Sequence, residues 1–330
     1  MKIMFLIPQG MQNSHAQFRV LPLIAHEFGD AADMFYKEIP KNPIRRYSFF
    51  SRLPHADVIV IHRELVSAFE LGGIRRLCEV LVFDCSEAVW AMPGESLNRL
   101  GAARKLAKRQ RRFERLCQQA DIGVADNSRL AKEMSGLCER VHTVPTAIDS
   151  NLYCPGTGGK RGGVTLVGWV ETVGDLSAFK STLAQLEMHA GQIQFSIVSR
   201  KQYIGPGREY SFWAAWSQEN EPMKLQAMDI GLLPVVNDDF GEGGCTLNIL
   251  KYMASGVAVV ASDIGVHSEM VEHGVNGFLV RETGDWEKYV MMLANDKVLR
   301  ARLAEAGRQK AVEMFSLREY RERYRTVLAF

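Results

Sequence analysis

The 330 residues are enough for two domains of ordinary size, each able to bury its own core. At 47% hydrophobic and 24% charged residues the chain has the make-up of a folded protein in water, and a formal net charge of +2 selects no partner by bulk charge. No run reaches the roughly 18 apolar residues of a membrane span. The six cysteines form no C-x-x-C pair, so neither a zinc site nor a disulfide framework is indicated and a reducing cytoplasm fits.

Ile3 to Pro8 is too short for a signal-peptide core and reads as a first buried strand. The loop after it holds Gln9 and Gly10. Phe18 to Phe28 carries apolar residues at helical spacing, with Arg19 near its start. In open α/β sheets ligands bind beyond the carboxyl ends of the strands, so Gln9, Gly10 and Arg19 are cleft candidates, Arg19 for an anionic group. An ordinary surface arginine is the plain alternative. Ala56 to His62 and Glu79 to Asp84 are further buried strands. The second ends on Asp84, Ser86 and Glu87, where a carboxylate can act as a general base, bind sugar hydroxyls, or cap a helix.

Asn98 to Ala120 reads as a long helix with one apolar face and one cationic face. Eight Lys and Arg face a single acid, Glu114, which suits either plain solvation or an anionic membrane surface. Nucleic acid is not expected, because no interleaved aromatics accompany the charge. Ile122 to Ala125 is a strand, Asp126-Asn127-Ser128 caps a helix to Ser135, and Arg140 to Pro145 is another strand. Cys154 to Gly163, with five glycines, reads as a linker.

After the linker the β/α pattern restarts. Strands are expected at Val164 to Val167, Ile193 to Val198, Tyr210 to Trp216 and Ile230 to Val235, with helices at Leu176 to His189 and Glu221 to Met228. Arg200 and Lys201 follow the second of these strands, placed to suit a diphosphate. Phe240 to Ser262 runs from glycine loop to helix to buried strand. The N–H groups of Gly243, Gly244, Cys245 and Thr246, at a helix start, form a candidate phosphate cradle, or simply a tight turn. A last strand lies near Phe278, and helices follow at Trp286 to Ala294, Leu299 to Met314 and Leu317 to Leu328. The part through Pro155 counts 21 Lys and Arg against 17 Asp and Glu, and the remainder 19 against 21. The positive surface therefore belongs to the first domain.

Several segments, in order, resemble the family-4 (group 1) glycosyltransferases. They are Ala56 to Arg63, Leu81 to Asp84, Ala120 to Leu130, Val144 to Pro155, Met228 to Pro234, Tyr252 to Ser262, Gly265-Val266 and Glu272 to Phe278. The resemblance implies the GT-B architecture: α/β, two Rossmann-like doubly wound domains facing a cleft. Residues 1–155 would be the acceptor-side domain, with the C-terminal helix 317–330 returning to it, and residues 156–316 the nucleotide-sugar domain. It also implies sugar transfer from a nucleotide-sugar to an acceptor, with retention of stereochemistry by family precedent, with no cofactor and no bound metal.

On that resemblance the donor contacts would be Arg200, Lys201, Trp216, Gly243, Gly244, Cys245, Thr246, Asn248 and Lys251, with Glu242 on the sugar and Asp84 or Glu87 on the acceptor side. Gly243 and Lys251 stand where many members carry a glutamate pair, and Glu242 would be a displaced substitute. The altered pair leaves open a catalytically silent binding or scaffold protein, or another reaction such as nucleotide-sugar epimerisation. The expected location is cytoplasmic, peripheral at the membrane if residues 98–120 bind lipid.

Overall fold

The computed structural model describes residues 1–10, 14–26, 32–92, 94–97, 100–156, 164–171, 176–242 and 247–328. The strands are β1 (Lys2–Pro8), β2 (Asp33–Ile39), β3 (Val58–His62), β4 (Val80–Cys85), β5 (Ile122–Ala125) and β6 (Val141–Thr143). They continue with β7 (Thr165–Val170), β8 (Ile193–Ser199), β9 (Ser211–Ala215), β10 (Ile230–Leu233), β11 (Ala258–Ser262) and β12 (Phe278–Val280). The helices are α1 (Ser14–Arg19), α2 (Leu21–Ile24), α3 (Pro43–Phe50), α4 (Ala68–Arg75) and α5 (Gly94–Leu97). Next come α6 (Ala102–Gln119), α7 (Ser128–Ser135), α8 (Leu176–Leu186), α9 (Glu221–Gln226) and α10 (Asp239–Glu242). The last are α11 (Leu247–Ala254), α12 (His267–Met270), α13 (Asp285–Asn295), α14 (Lys297–Met314) and α15 (Leu317–Leu328).

The chain divides into two compact units. Unit 1 comprises Met1–Ala147, Asp238–Cys245 and Leu317–Phe330; unit 2 comprises Ile148–Asn237 and Thr246–Ser316. The start of the expected linker is packed rather than extended. Tyr153 is buried in unit 2, and a Cβ on Gly156 would touch Gln226 at 3.3 Å. Residues 157–163 of that stretch lie outside the described residues.

Unit 1 is a six-stranded parallel sheet in the order β2-β1-β3-β4-β5-β6. Its inner strands β1, β3, β4 and β5 are buried on both faces, as continuous apolar runs such as Val58–His62 require. One face holds Met4, Leu6, Ile59, Ile61, Leu81 and Phe83, covered by apolar residues of α3, α4, α6 and α7. The other holds Ile3, Phe5, Val58, Val60 and Val124, covered by α1, α2 and α15. Strand β2 and helices α3 and α4 are absent from the sequence reading. At this sheet edge, Asp33–Ile39 is mostly half-buried and mixes charged with apolar residues, so its apolar signal is weak. Pro22 sits in the first turn of α2, where its missing N–H costs nothing, and the run expected as one helix from Phe18 is two short ones.

Unit 2 has the order β12-β11-β10-β7-β8-β9, also parallel throughout. This is the doubly wound order in which the chain reverses direction between the first and fourth strands, here β7 and β10. On one face α8, α13 and α14 bury Phe179, Leu183, Trp286, Val290 and Leu303 against Val167, Phe195 and Leu232. The opposite face needs small residues where helices press close. A Cβ on Gly231 would meet the Tyr252 ring at 2.6 Å, and one on Gly168 would meet Met228 Sδ at 2.0 Å. Gly256, at φ +66°, ends α11 in the left-handed conformation open to glycine.

Candidate active site

In unit 1 the carboxyl ends of β3 and β4 carry a half-buried polar cluster above a fully buried one. The buried layer centres on Arg19, which has no exposed surface. Its guanidinium donates to Asp84 Oδ1 at 2.6 Å, to Asp126 Oδ1 at 2.9 Å and to the Val144 carbonyl at 2.8 Å. Asp84 also meets His62 Nδ1 at 3.0 Å, and Asp126 accepts from the Thr146 hydroxyl at 2.5 Å and its backbone N–H at 2.6 Å. Tyr320, from α15, donates to the Arg19 carbonyl at 2.5 Å.

Burial alone would raise the Asp84 carboxyl, but Arg19 and His62 beside it hold it well below the usual carboxylate range. Asp126 shares the same single guanidinium, and there burial wins and pushes the carboxyl up. Burial likewise drives His62 down, only partly offset by Asp84. Two expectations from the sequence are thereby corrected. The anion held by Arg19 is the protein's own Asp84 and Asp126, and Asp84 has no surface from which to meet an acceptor.

Above this layer Glu87 is 23% exposed and ion-paired to Arg63, with His15 Nε2 at 3.5 Å. His15 Nδ1 lies 3.5 Å from the Ser86 hydroxyl. Arg63 has φ +59°, a left-handed conformation uncommon for arginine, and its N–H donates to the Asp84 carbonyl at 2.9 Å. Gln9 and Gly10 are drawn toward the end of β2. Gln9 Oε1 accepts from the Lys41 N–H at 3.0 Å, and the Gly10 N–H donates to Glu38 at 3.1 Å.

In unit 2 the corresponding edge is built around Glu221. It is 2% exposed, at the first position of α9. Its carboxylate accepts from Tyr153 Oη at 2.7 Å, Trp216 Nε1 at 2.8 Å and Lys251 Nζ at 2.8 Å. Trp216 is half-buried, and the Arg200 guanidinium lies 5.0 Å from its ring. The Arg200 N–H donates to Glu171 at 2.6 Å, and both Arg200 and Lys201 expose their side chains. Trp213 donates to Ser199 Oγ at 2.9 Å from the edge strand β9. At the switch point, Tyr252 Oη accepts from the Val170 N–H at 3.0 Å where β7 and β10 part. Asn248 is half-buried on α11.

Beside this edge, His267 Nδ1–H donates to the Ser262 carbonyl at 3.0 Å. Burial pushes its imidazole down to about 4. The unfolded chain therefore takes up this proton first, near pH 6.5. The stability present above that pH is lost as pH falls toward 4, at roughly 1.4 kcal/mol per unit at most. Calorimetry from pH 7 to 4.5 should show a falling midpoint, and a shallower fall in His267→Gln, which retains a donor for Ser262. An identical slope in the variant would assign the effect to other groups.

Residues 178–296 match the family model described as Glycosyl transferases group 1. The matched segment lies within the second half of the chain and is similar to group 1 glycosyl transferases. No curated protein matches the chain. Among solved structures it is similar to Anabaena HepE in complex with UDP-glucose, at 17% identity and a TM-score of 0.74 over 100% of both chains. It is also similar to the sucrose-phosphate synthase of Thermosynechococcus elongatus, at 14% identity and a TM-score of 0.75 over 99% of both. A glycosyltransferase from Rickettsia africae gives 11% identity and a TM-score of 0.66 over 99% of this chain and 98% of that one. These likenesses set the fold: the chain is a two-unit α/β protein of the GT-B class.

Within residues 178–296, Arg200, Lys201, Trp216, Asn248 and Lys251 all lie in unit 2. Lys251 does not offer a bare ammonium to a ligand, since it is 4% exposed and paired with Glu221. The cradle Gly243, Gly244, Cys245 and Thr246 lies outside the described residues. Glu242 closes α10, and its segment groups with unit 1. Glu221, Tyr153, His15 and Arg63 were not singled out in the sequence. Glu221 reads there only as a helix start beside Pro222, and nothing in the local sequence marks Arg63 as left-handed. Among the described residues no group of three or more His, Cys, Asp or Glu could hold a metal ion.

Proposed function

We propose that the chain transfers a sugar from a uridine-diphosphate sugar to an acceptor. The observation that carries this is the coincidence of the family match, residues 178–296, with the Arg200–Trp216–Glu221–Lys251 constellation. In this reading Trp216 stacks on the base, and Arg200 and Lys201 offset charge on the departing diphosphate. The Gly243–Thr246 N–H groups bind phosphate, and Asn248, two residues further along the chain, joins the donor contacts. Positive side chains and N–H dipoles aimed at the leaving group replace a metal in such a scheme. On the acceptor side Glu87, held by Arg63 and His15, is the exposed carboxylate. Retention of anomeric configuration belongs to the same proposal and is read by product NMR.

Calorimetric titration with UDP, GDP and dTDP tests the donor half, followed by UDP-sugar turnover with and without chelator. UDP is expected to bind most tightly, and turnover to persist in chelator. Trp216→Ala, and Arg200→Ala with Lys201→Ala, should each weaken UDP at least tenfold, since one charged hydrogen bond contributes about 1.5–3 kcal/mol. Binding without turnover of any UDP-sugar would leave a binding protein, and no nucleotide binding would end the proposal.

A further inference from the structure

On the α3–α4–α6 face of unit 1 the helices bury Phe50, Leu71, Ile74, Phe113 and Leu116 inward. Outward they are unusual. Ile44 is 82% exposed, Tyr47 66% and Phe69 72%, and the last two rings stack across α3 and α4 at 6.0 Å and 11°. These residues sit in the first two turns of helices that follow β2 and β3, so they lie toward the carboxyl edge of the sheet. Arg112 of α6 donates to the Leu65 carbonyl at 2.9 Å, in the loop entering α4, which brings α6 alongside the aromatic pair.

Arg104, Lys108, Arg111 and Arg115 recur at i, i+4, i+7 and i+11 on α6 and are all exposed, with Lys105 beside them. Leu97 and Leu100 are exposed just ahead of the helix. Lys41 and Arg45 are exposed next to Ile44 and Tyr47, and α3 carries no acid. The nearby acids Glu64 and Glu70 are paired with Arg46. Large apolar tips within a field of cations that form no ion pair among the described residues are complementary to one surface chemistry, an apolar layer under an anionic one.

We propose that this face docks on an anionic phospholipid bilayer, with Ile44, Tyr47, Phe69 and Leu100 entering the interface and the α6 cations meeting headgroups. The observation differs from those behind sugar transfer, so either can fail without the other.

The test is cosedimentation of the full chain with vesicles of phosphatidylcholine, alone or mixed with about equal phosphatidylglycerol, at low and high salt. Binding is expected on the mixed vesicles only and should weaken with salt. Changing Arg104, Lys108, Arg111 and Arg115 together to Gln should reduce partitioning at least tenfold, since each cation near such a surface is worth about a fivefold factor. Tyr47→Ser with Phe69→Ser should reduce it at least tenfold while leaving the salt dependence in place. All six positions are on the surface, so unchanged melting temperatures would confirm that the variants are folded. Equal binding to neutral vesicles, no binding to either, or full binding by both variants overturns the proposal. A dimer in solution that Phe69→Ser dissociates, without vesicle binding, would overturn it in favour of a second copy.

Discussion

Arg19→Met is expected to destabilise the protein by about 3–5 kcal/mol, the usual effect of removing one partner from a buried ion pair. The change leaves Asp84 and Asp126 without a cation at a site with no exposed surface. A loss of that size is a large fraction of the stability of most domains, so urea denaturation should show it plainly. The pH response should also change sign. In the unaltered chain Asp84 is held below its unfolded value, so its contribution is present above about pH 4 and lost as pH falls through the native value. Without Arg19, burial raises both carboxyls above their unfolded values, and acidification then stabilises the variant relative to its state at pH 7. Adding Asp84→Asn and Asp126→Asn should recover much of the loss by removing the stranded charges. A single variant within about 0.5 kcal/mol of the parent, but unable to bind an anionic ligand, would restore Arg19 to the ligand site.

Glu221→Ala should produce a loss of similar size in unit 2, for the same reason with the signs reversed. Lys251, 4% exposed, would be left with no carboxylate, and Tyr153 and Trp216 would lose their acceptor. About 3–5 kcal/mol is expected from the stranded ammonium. Glu221→Gln with Lys251→Met removes both charges and should stay much closer to the parent in denaturation. That double variant isolates the positioning effect, because Trp216 is then anchored by a weaker neutral acceptor. UDP affinity should fall at least tenfold in it. If UDP bound as tightly as before, Glu221 would be a structural partner of Lys251 and no more.

The strands of both sheets were legible where they are buried on both faces, because runs such as Val58–His62 and Ala258–Ser262 are apolar throughout. β2 was not, since an edge strand is apolar on neither face consistently. The donor edge was legible as a neighbourhood: strand ends place Arg200, Lys201 and Trp216 in unit 2 whatever their partners. Pairing was not legible. Arg19 and Asp84 are 65 residues apart and Glu221 and Lys251 are 30 apart, and only the sheet order brings each pair together. A charged residue at a strand's carboxyl end looks the same in sequence whether it faces a ligand or a buried counter-ion.

The placement of α15 bears on the order of events during synthesis. Tyr320, Tyr324, Val327 and Leu328 belong to the same buried cluster as Ile3, Phe5 and Val20, and Tyr320 reaches across 301 residues to the Arg19 carbonyl. A growing chain holds every strand of unit 1 by Thr143, yet the part of one sheet face that α15 covers stays open until after Ser316. Apart from the short α10 segment, the residues made in that interval are those of unit 2. The first-made unit is thus the last to finish, and the part of its apolar face under α15 is exposed for the time taken to build the other. Such transient exposure is where aggregation and chaperone capture act.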